Sequence, residues 1–295
     1  LVTIHNTNNY GAVFQVYATQ IALSKYGDVE IINYNNRHIS RSFDLVRLKP
    51  SLHGLMGTVK DIFRLFPRRR VISKFKRFVL NNLKQTDAYG VGDLMQGFSR
   101  KYDIYVAGSD QIWNPSCISD KKALDNIYFL EFAKDNSRKI SYASSIGGYK
   151  FSAAEELLVK EYLKKYDSIS VREKATQVYL QGLLKKPVRH VIDPTLLLDK
   201  NEWIRFSGVD NEFMLNERYI LLYTVPKASL IKKVVEELSK KLQIKVIAID
   251  QGLSAGVKVD KQIRDAGPEE FLRLFACADF VIIDSFHGVC FSLNF

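Results

Sequence analysis

Apolar residues recur along the chain in two rhythms. Short runs rich in β-branched and aromatic residues, at 2–5, 29–34, 104–107, 139–143, 168–171, 189–192, 219–224, 245–249 and 280–283, predict strands, most of them apolar on both faces and therefore buried. Between them, apolar positions return every three or four residues at 12–25, 153–166, 175–183, 227–242 and 268–277, the last with Pro268 in its first turn, and predict helices. Strand alternating with helix predicts an α/β fold on doubly wound parallel sheets. A fresh series begins at Tyr219, after the Asp193-Pro194-Thr195 turn and the 201–216 segment. Two domains are expected, 1–205 and 206–295, and two such sheets facing each other would leave a cleft. The apolar run 289–295 starts like a helix covering the last sheet, so the second domain is expected to be incomplete, with at least one more strand and helix to follow. No period of 20 to 50 residues and no low-complexity tract marks a repeat protein.

Composition adds bounds. With 295 residues, 46% hydrophobic and 25% charged, the chain exceeds what one core usually serves and has ordinary globular make-up. No apolar stretch approaches the ~20 residues that span a bilayer. The start at Leu1 lacks the cationic, hydrophobic and cleavage regions of a secretory leader, which predicts a cytoplasmic protein, with the inner face of the membrane as a peripheral location. Cys117, Cys277 and Cys290, odd in number and widely spaced, argue against disulfides and against a CxxC metal site. A net charge of +11 favours anionic partners: a phosphorylated substrate, an acidic glycan, lipid headgroups or nucleic acid. The excess is local, carried by a basic segment of about 37–101 that reads as a helical insertion in the first domain. Within it, 55–83 interleaves cations with Leu55, Phe63, Val71, Phe75, Phe78 and Val79, and Pro67 is expected to divide it into two helices. One reading is a hairpin with an apolar stripe inward and a solvated basic face. Another is docking on anionic membrane or on a polyprenyl-phosphate-linked sugar. A nucleic-acid role finds no recognised binding module beside the charge.

Open α/β sheets bind ligands beyond the carboxyl ends of their strands, so polar clusters that follow strands are the informative ones. Six occur. His5-Asn6-Thr7-Asn8-Asn9-Tyr10-Gly11 runs straight into a helix, where free amides and the helix dipole suit a phosphate, although asparagine is equally a plain helix cap. In Gly108-Ser109-Asp110-Gln111-Ile112-Trp113-Asn114, Asp110 suits a base or sugar-hydroxyl acceptor, Gln111 and Asn114 offer amides, and Trp113 offers a sugar-stacking face. The competing reading makes Trp113 a core aromatic and Asp110 a cap. Ser144-Ser145-Ile146-Gly147, Arg172-Glu173 and Asp193-Pro194-Thr195 follow three further strands. Arg172 suits bidentate binding of carboxylate or phosphate, against the alternative of a surface Arg–Glu pair. Asp284-Ser285-Phe286-His287-Gly288 follows the last strand; the His287 imidazole suits proton transfer or a phosphate, or is a structural histidine. GxGxxG and GxxxxGK[ST] are absent, no histidines stand at HxxxH or HExxH spacing, and Ser109 lacks a GxSxG elbow, which disfavours dinucleotide, P-loop, zinc and serine-hydrolase chemistry.

Taken in order, Asn8-Asn9-Tyr10-Gly11-Ala12, Gly108 to Asn114, Tyr142-Ala143-Ser144-Ser145-Ile146-Gly147, Val171-Arg172-Glu173, 193–198 and 284–288 resemble the polysaccharide pyruvyl transferase family along nearly the whole chain. The resemblance implies two Rossmann-like domains facing across a cleft in the GT-B manner. It implies a transferase of bacterial exopolysaccharide or capsule biosynthesis, with phosphoenolpyruvate as donor substrate and no further cofactor or metal. The product would be a pyruvate ketal on a sugar or lipid-linked oligosaccharide. Asp110, Arg172 and His287 are the expected catalytic residues, Arg172 and His287 toward the donor's phosphate and carboxylate. Asn6, Asn8, Asn9, Tyr10, Ser109, Gln111, Trp113, Asn114, Ser144, Ser145 and Ser285 are the expected substrate contacts. The rivals are a GT-B glycosyltransferase using a nucleotide sugar and a non-catalytic glycan- or membrane-binding protein.

Overall fold

A computed structural model describes residues 1–45, 65–100, 102–133, 137–208, 218–224 and 229–295. By contact the chain divides into two compact units, the first formed by Leu1–Ser42 with Val79–Leu197, the second by Phe43–Phe78 with Leu198–Phe295. The described elements run α1 (Tyr10–Ser24), β1 (Ile31–Tyr34), α2 (Arg37–Ser40), α3 (Leu65–Asn82), β2 (Gln85–Tyr89), α4 (Val91–Gly97), β3 (Ile104–Ala107), α5 (Pro115–Ile118), β4 (Arg138–Ser141), α6 (Ala153–Lys164), β5 (Ser170–Val171), α7 (Lys174–Leu184), β6 (Arg189–His190), α8 (Lys200–Ser207), β7 (Tyr219–Tyr223), α9 (Ser229–Leu242), β8 (Lys245–Ile249), β9 (Lys261–Ile263), α10 (Pro268–Ala276), β10 (Phe280–Ile283) and α11 (Phe286–Asn294). The expected α/β class is what the chain forms.

In the first unit every strand pairing is parallel. The extended segment before α1 lies between two strands: Val2 pairs with Ala107 of β3, and the Leu1 carbonyl accepts from Ile32 N of β1 at 2.9 Å. β1 pairs with β2, and β3 with β4. Ile140 of β4 bridges to Ser168 just ahead of β5, and β5 pairs with β6. The strands therefore stand in the order β2, β1, the 2–4 segment, β3, β4, β5, β6. Counted along the chain this is 3-2-1-4-5-6-7, the doubly wound arrangement whose direction reverses beside the first strand. Its core gathers Val2, Ile4, Ile32, Ala107, Ile112, Trp113, Phe129, Leu163, Val171 and Leu180. α1 is apolar on most faces because it is covered on most faces: Val13, Phe14 and Val16 are fully buried.

The second unit carries a four-stranded parallel sheet in the order β10-β7-β8-β9. Along the chain this is 4-1-2-3, so its direction reverses between β7 and β10. Val235 of α9 packs in one cluster with Ile220, Leu222, Val246 and Ala248 of the sheet. Lys74 of α3 donates to the Asp265 carbonyl at 2.8 Å and to Glu270 Oε1 at 2.6 Å, and Phe78 meets Phe206 edge to face at 5.5 Å, so α3 belongs with this unit through most of its length. Pro67 falls in the first turn of α3, where its missing N–H costs nothing, and the helix continues unbroken to Asn82. The remainder of the expected hairpin, 55–64, lies outside the described residues.

Candidate functional site

The loops that follow β3, β4, β5 and β6 meet beside the reversal point of the first unit. The loop after β3 is held against the loop after β4: Asp110 bridges to Ser144, and Ser145 N donates to the Asp110 carbonyl at 3.0 Å. Both loops carry a non-glycine residue in the left-handed region, Asp110 at φ 68 and Ala143 at φ 53. Two side-by-side departures of this kind cost roughly 1–3 kcal/mol each and cluster where geometry serves function. Asp110 is the residue type that tolerates it, its Oδ1 accepting from the next backbone amide, Gln111 N, at 2.8 Å. Gly147, also left-handed at φ 56, leaves room for Gln111: an added Cβ would come within 2.3 Å of Gln111 Oε1. That oxygen also accepts from Asn114 Nδ2 at 2.6 Å and from Cys117 Sγ at 3.3 Å. Burial first and Asp110 second push the Cys117 thiol up, which suits a packing role over a nucleophile.

At the centre stands Arg172, its side chain only 7% exposed. Its Nη1 donates to Asp193 Oδ2 at 3.0 Å, its Nε to Glu173 Oε1 at 3.1 Å, and its Nη2 lies 3.9 Å from Asp110 Oδ1. Burial alone lowers its basicity; the charges of Asp110, Asp193 and Glu173 outweigh that and raise it, so the guanidinium is permanently charged. Asp193, its side chain fully buried, also accepts from Ser109 Oγ at 3.2 Å and, through Oδ1, from the Thr195 amide and hydroxyl. Tyr142, whose hydroxyl donates to the Ile192 carbonyl, is pushed up to about 12 by burial and then by Asp193. Ser145 Oγ donates to Glu173 Oε1 at 2.7 Å, and Ser144 Oγ to the Gly108 carbonyl at 2.8 Å. His190 Nε2 lies 3.1 Å from the Arg172 carbonyl. One arginine among three carboxylates leaves a formal charge of −2. Such a cluster accepts protons and hydroxyl hydrogens readily and is a poor seat for a phosphate.

The expected residues thus fall into groups. Asp110, Arg172, Ser109, Gln111, Asn114, Ser144 and Ser145 are brought together. Trp113 is placed in the core, 1% exposed, stacked on Phe129 at 5.5 Å with Nε1 donating to the Tyr128 carbonyl. Its faces are taken by protein, which is the core-aromatic alternative. In the Asn-rich loop, Asn9 Oδ1 caps α1 at Ala12 N, Asn6 Nδ2 donates to Asn33 Oδ1, and Tyr10 is buried in the first helical turn. Asn8 gives its amide N–H to Ser42 Oγ, while its buried Oδ1 has no hydrogen-bond partner among the described residues. Ser285 and His287 lie in the second unit, at the reversal point of its own sheet. There Ser285 caps α11 at Gly288 N, and the His287 ring meets Phe286 at 5.2 Å.

A model of the family described as polysaccharide pyruvyl transferase matches residues 9–295. The chain belongs to the polysaccharide pyruvyl transferase family. No curated protein and no solved structure matches it significantly. Three residues stand out in the structure that the bare sequence did not single out. Asp193 and Glu173 stood in clusters after strands, and only the fold shows both on Arg172. Arg264 follows β9, and its Nε and Nη2 are buried without a hydrogen-bond partner among the described residues. β9 is polar and short, so the apolar pattern does not mark a strand end there. Among the described residues no helix is long and apolar enough to cross a membrane, and no group of three or more His, Cys, Asp or Glu side chains could hold a metal.

Proposed function

We propose that this family member transfers the pyruvyl group of phosphoenolpyruvate to two hydroxyls of one sugar in a polysaccharide or its lipid-linked precursor, closing a cyclic ketal. The observation that carries the reading is Asp110, held in a strained turn against Arg172 at the reversal point of the first sheet. Protonation of the donor's methylene carbon makes its central carbon electrophilic, one sugar hydroxyl adds there, phosphate departs, and the second hydroxyl closes the ring. Of the two hydroxyl protons, one balances the new methyl group and the other leaves with phosphate. Asp110 takes the proton from the attacking hydroxyl. Arg172, already engaged by three carboxylates, first serves to orient Asp110 and to keep the acidic cluster folded. In the second unit, taken by itself, His287 and Arg264 stand just beyond strand ends of its sheet and are the residues assigned to bind an anionic donor.

The deciding experiment incubates the protein with an acceptor glycan and either phosphoenolpyruvate or a nucleotide sugar. Acceptor-dependent phosphate release, with a new methyl singlet on the glycan by NMR, is the expected result. Nucleoside diphosphate release would instead make it a glycosyltransferase. Donor binding measured by calorimetry should weaken roughly tenfold or more in His287→Ala and in Arg264→Ala, as for loss of a charge-assisted hydrogen bond, with melting temperatures near wild type. Unchanged donor affinity in both variants removes the assignment.

A further inference from the structure

α3 shows two faces of opposite character. Arg68, Val71, Ile72, Phe75, Phe78 and Val79 are buried, at the spacing of one helical stripe. Arg68 is among them because its Nε donates to the Asp44 carbonyl at 2.8 Å. The opposite face presents Phe66, Arg69, Arg70, Ser73, Lys76, Arg77 and Leu80, all exposed. No acidic residue lies anywhere in Leu65–Asn82. Among the described residues the only acid drawn to this face is Asp265, 3.3 Å from Arg70, while Lys76 stands over the Phe43 ring and Arg69 and Arg77 have no acidic partner. Phe66 is 78% exposed and Leu80 77%, about 20 Å apart along one side of the helix, with the cations between them.

We propose that this face of α3 rests on an anionic lipid bilayer, the cations among the headgroups and Phe66 and Leu80 entering the acyl boundary. Charge alone would suit any polyanion. The two large apolar side chains decide between them, because they gain nothing against the phosphates of a nucleic acid and are relieved of water contact in a membrane interface. The inference goes beyond pyruvyl transfer and does not depend on it: a bilayer surface concentrates any lipid-linked acceptor, whatever group is moved.

The test is co-sedimentation of the full chain with mixed phosphatidylcholine and phosphatidylglycerol vesicles, with phosphatidylcholine vesicles, and gel-shift with duplex DNA. Binding to the anionic vesicles that weakens as salt is raised is expected. Each surface cation strengthens such binding about fivefold, so changing Arg69, Arg70, Lys76 and Arg77 together to Gln should weaken it at least about a hundredfold. Phe66→Ser with Leu80→Ser should weaken it about tenfold or more at unchanged charge. All six residues are exposed, and circular dichroism confirms that the variants fold. Equal partitioning of the wild type onto neutral and anionic vesicles, no partitioning onto either, or full binding by the four-Gln variant overturns the proposal. So does DNA binding as tight as vesicle binding with the Phe66 and Leu80 changes inert, which would mark a general polyanion surface.

Discussion

Asp110 and Asp193 contact the same guanidinium, yet the two carboxylates should fail in different ways. Asparagine tolerates the left-handed backbone and can still accept from Gln111 N, so Asp110→Asn should keep the melting temperature within a degree or two. It should lower acceptor-dependent phosphate release by about 10²–10⁴-fold, as for loss of a general base. Asp193→Ala removes a fully buried acceptor of Arg172, Ser109 and Thr195 and should destabilise the fold by about 3–5 kcal/mol, read as an earlier denaturation midpoint. A stable, inactive Asp193 variant beside an unstable Asp110 variant would reverse the two roles. His5 gives a pH test. It is 2% exposed, with Nδ1 opposite the Thr3 carbonyl and Nε2 near Asn33 Oδ1, and burial lowers its affinity for protons. The unfolded chain takes up that proton below about pH 6.5 while the folded chain resists. The folded state is thus fully favoured above that pH and loses up to about 1.4 kcal/mol per pH unit as the medium is acidified through the window down to the folded value. His5→Gln should flatten that part of the profile; an identical acid slope in both proteins would exclude it. At this scale the sequence supplied candidates, since position after a strand is enough to flag Asp110, Arg172 and His287. It hid which carboxylates share Arg172, because that depends on strand order.

Elements were readable in proportion to how apolar they are. The largely buried strands β3, β7 and β8 announce themselves as runs of Ile, Val, Leu and Tyr, and the half-exposed β10, Phe-Val-Ile-Ile, does so as well. β2, Gln-Thr-Asp-Ala-Tyr, and β9, Lys-Gln-Ile, do not, and among the described residues each stands at the end of its strand order with one neighbour. An edge strand is wetted along one side and tolerates polar residues, so at β2 and β9 the signal fades, whereas β10, at the other end of the second sheet, keeps its apolar run. Arg264, which follows β9, carries no strand-end signal in the sequence for that reason. A contact between two elements gives a further test. An Ala Cβ at Gly288 would lie 1.6 Å from Ile283 Cδ1 and 2.7 Å from its Cγ1, so α11 approaches β10 as closely as it does only because residue 288 has no side chain. Gly288→Ala should cost about 1–3 kcal/mol, and trimming the obstacle with Ile283→Val in the same chain should recover much of it. Additive losses in the double variant would show that the clash lies elsewhere.

For the whole molecule, the alternation of strands and helices was legible and the assignment of Phe43–Phe78 was not. Charge sets that stretch apart along the chain, but Lys74 on Glu270 and Phe78 on Phe206 are pairings between distant positions that no local pattern encodes. The second unit is therefore assembled from two pieces separated by all of Val79–Leu197. On the ribosome, which adds roughly 5–20 residues per second, α3 emerges on the order of ten seconds before Phe206 and Glu270 exist to meet it. During that interval its apolar stripe stands open beside its cations, in a form attractive to chaperones or to a membrane surface, and a nascent chain halted before Leu198 should be far more prone to aggregation than one released complete.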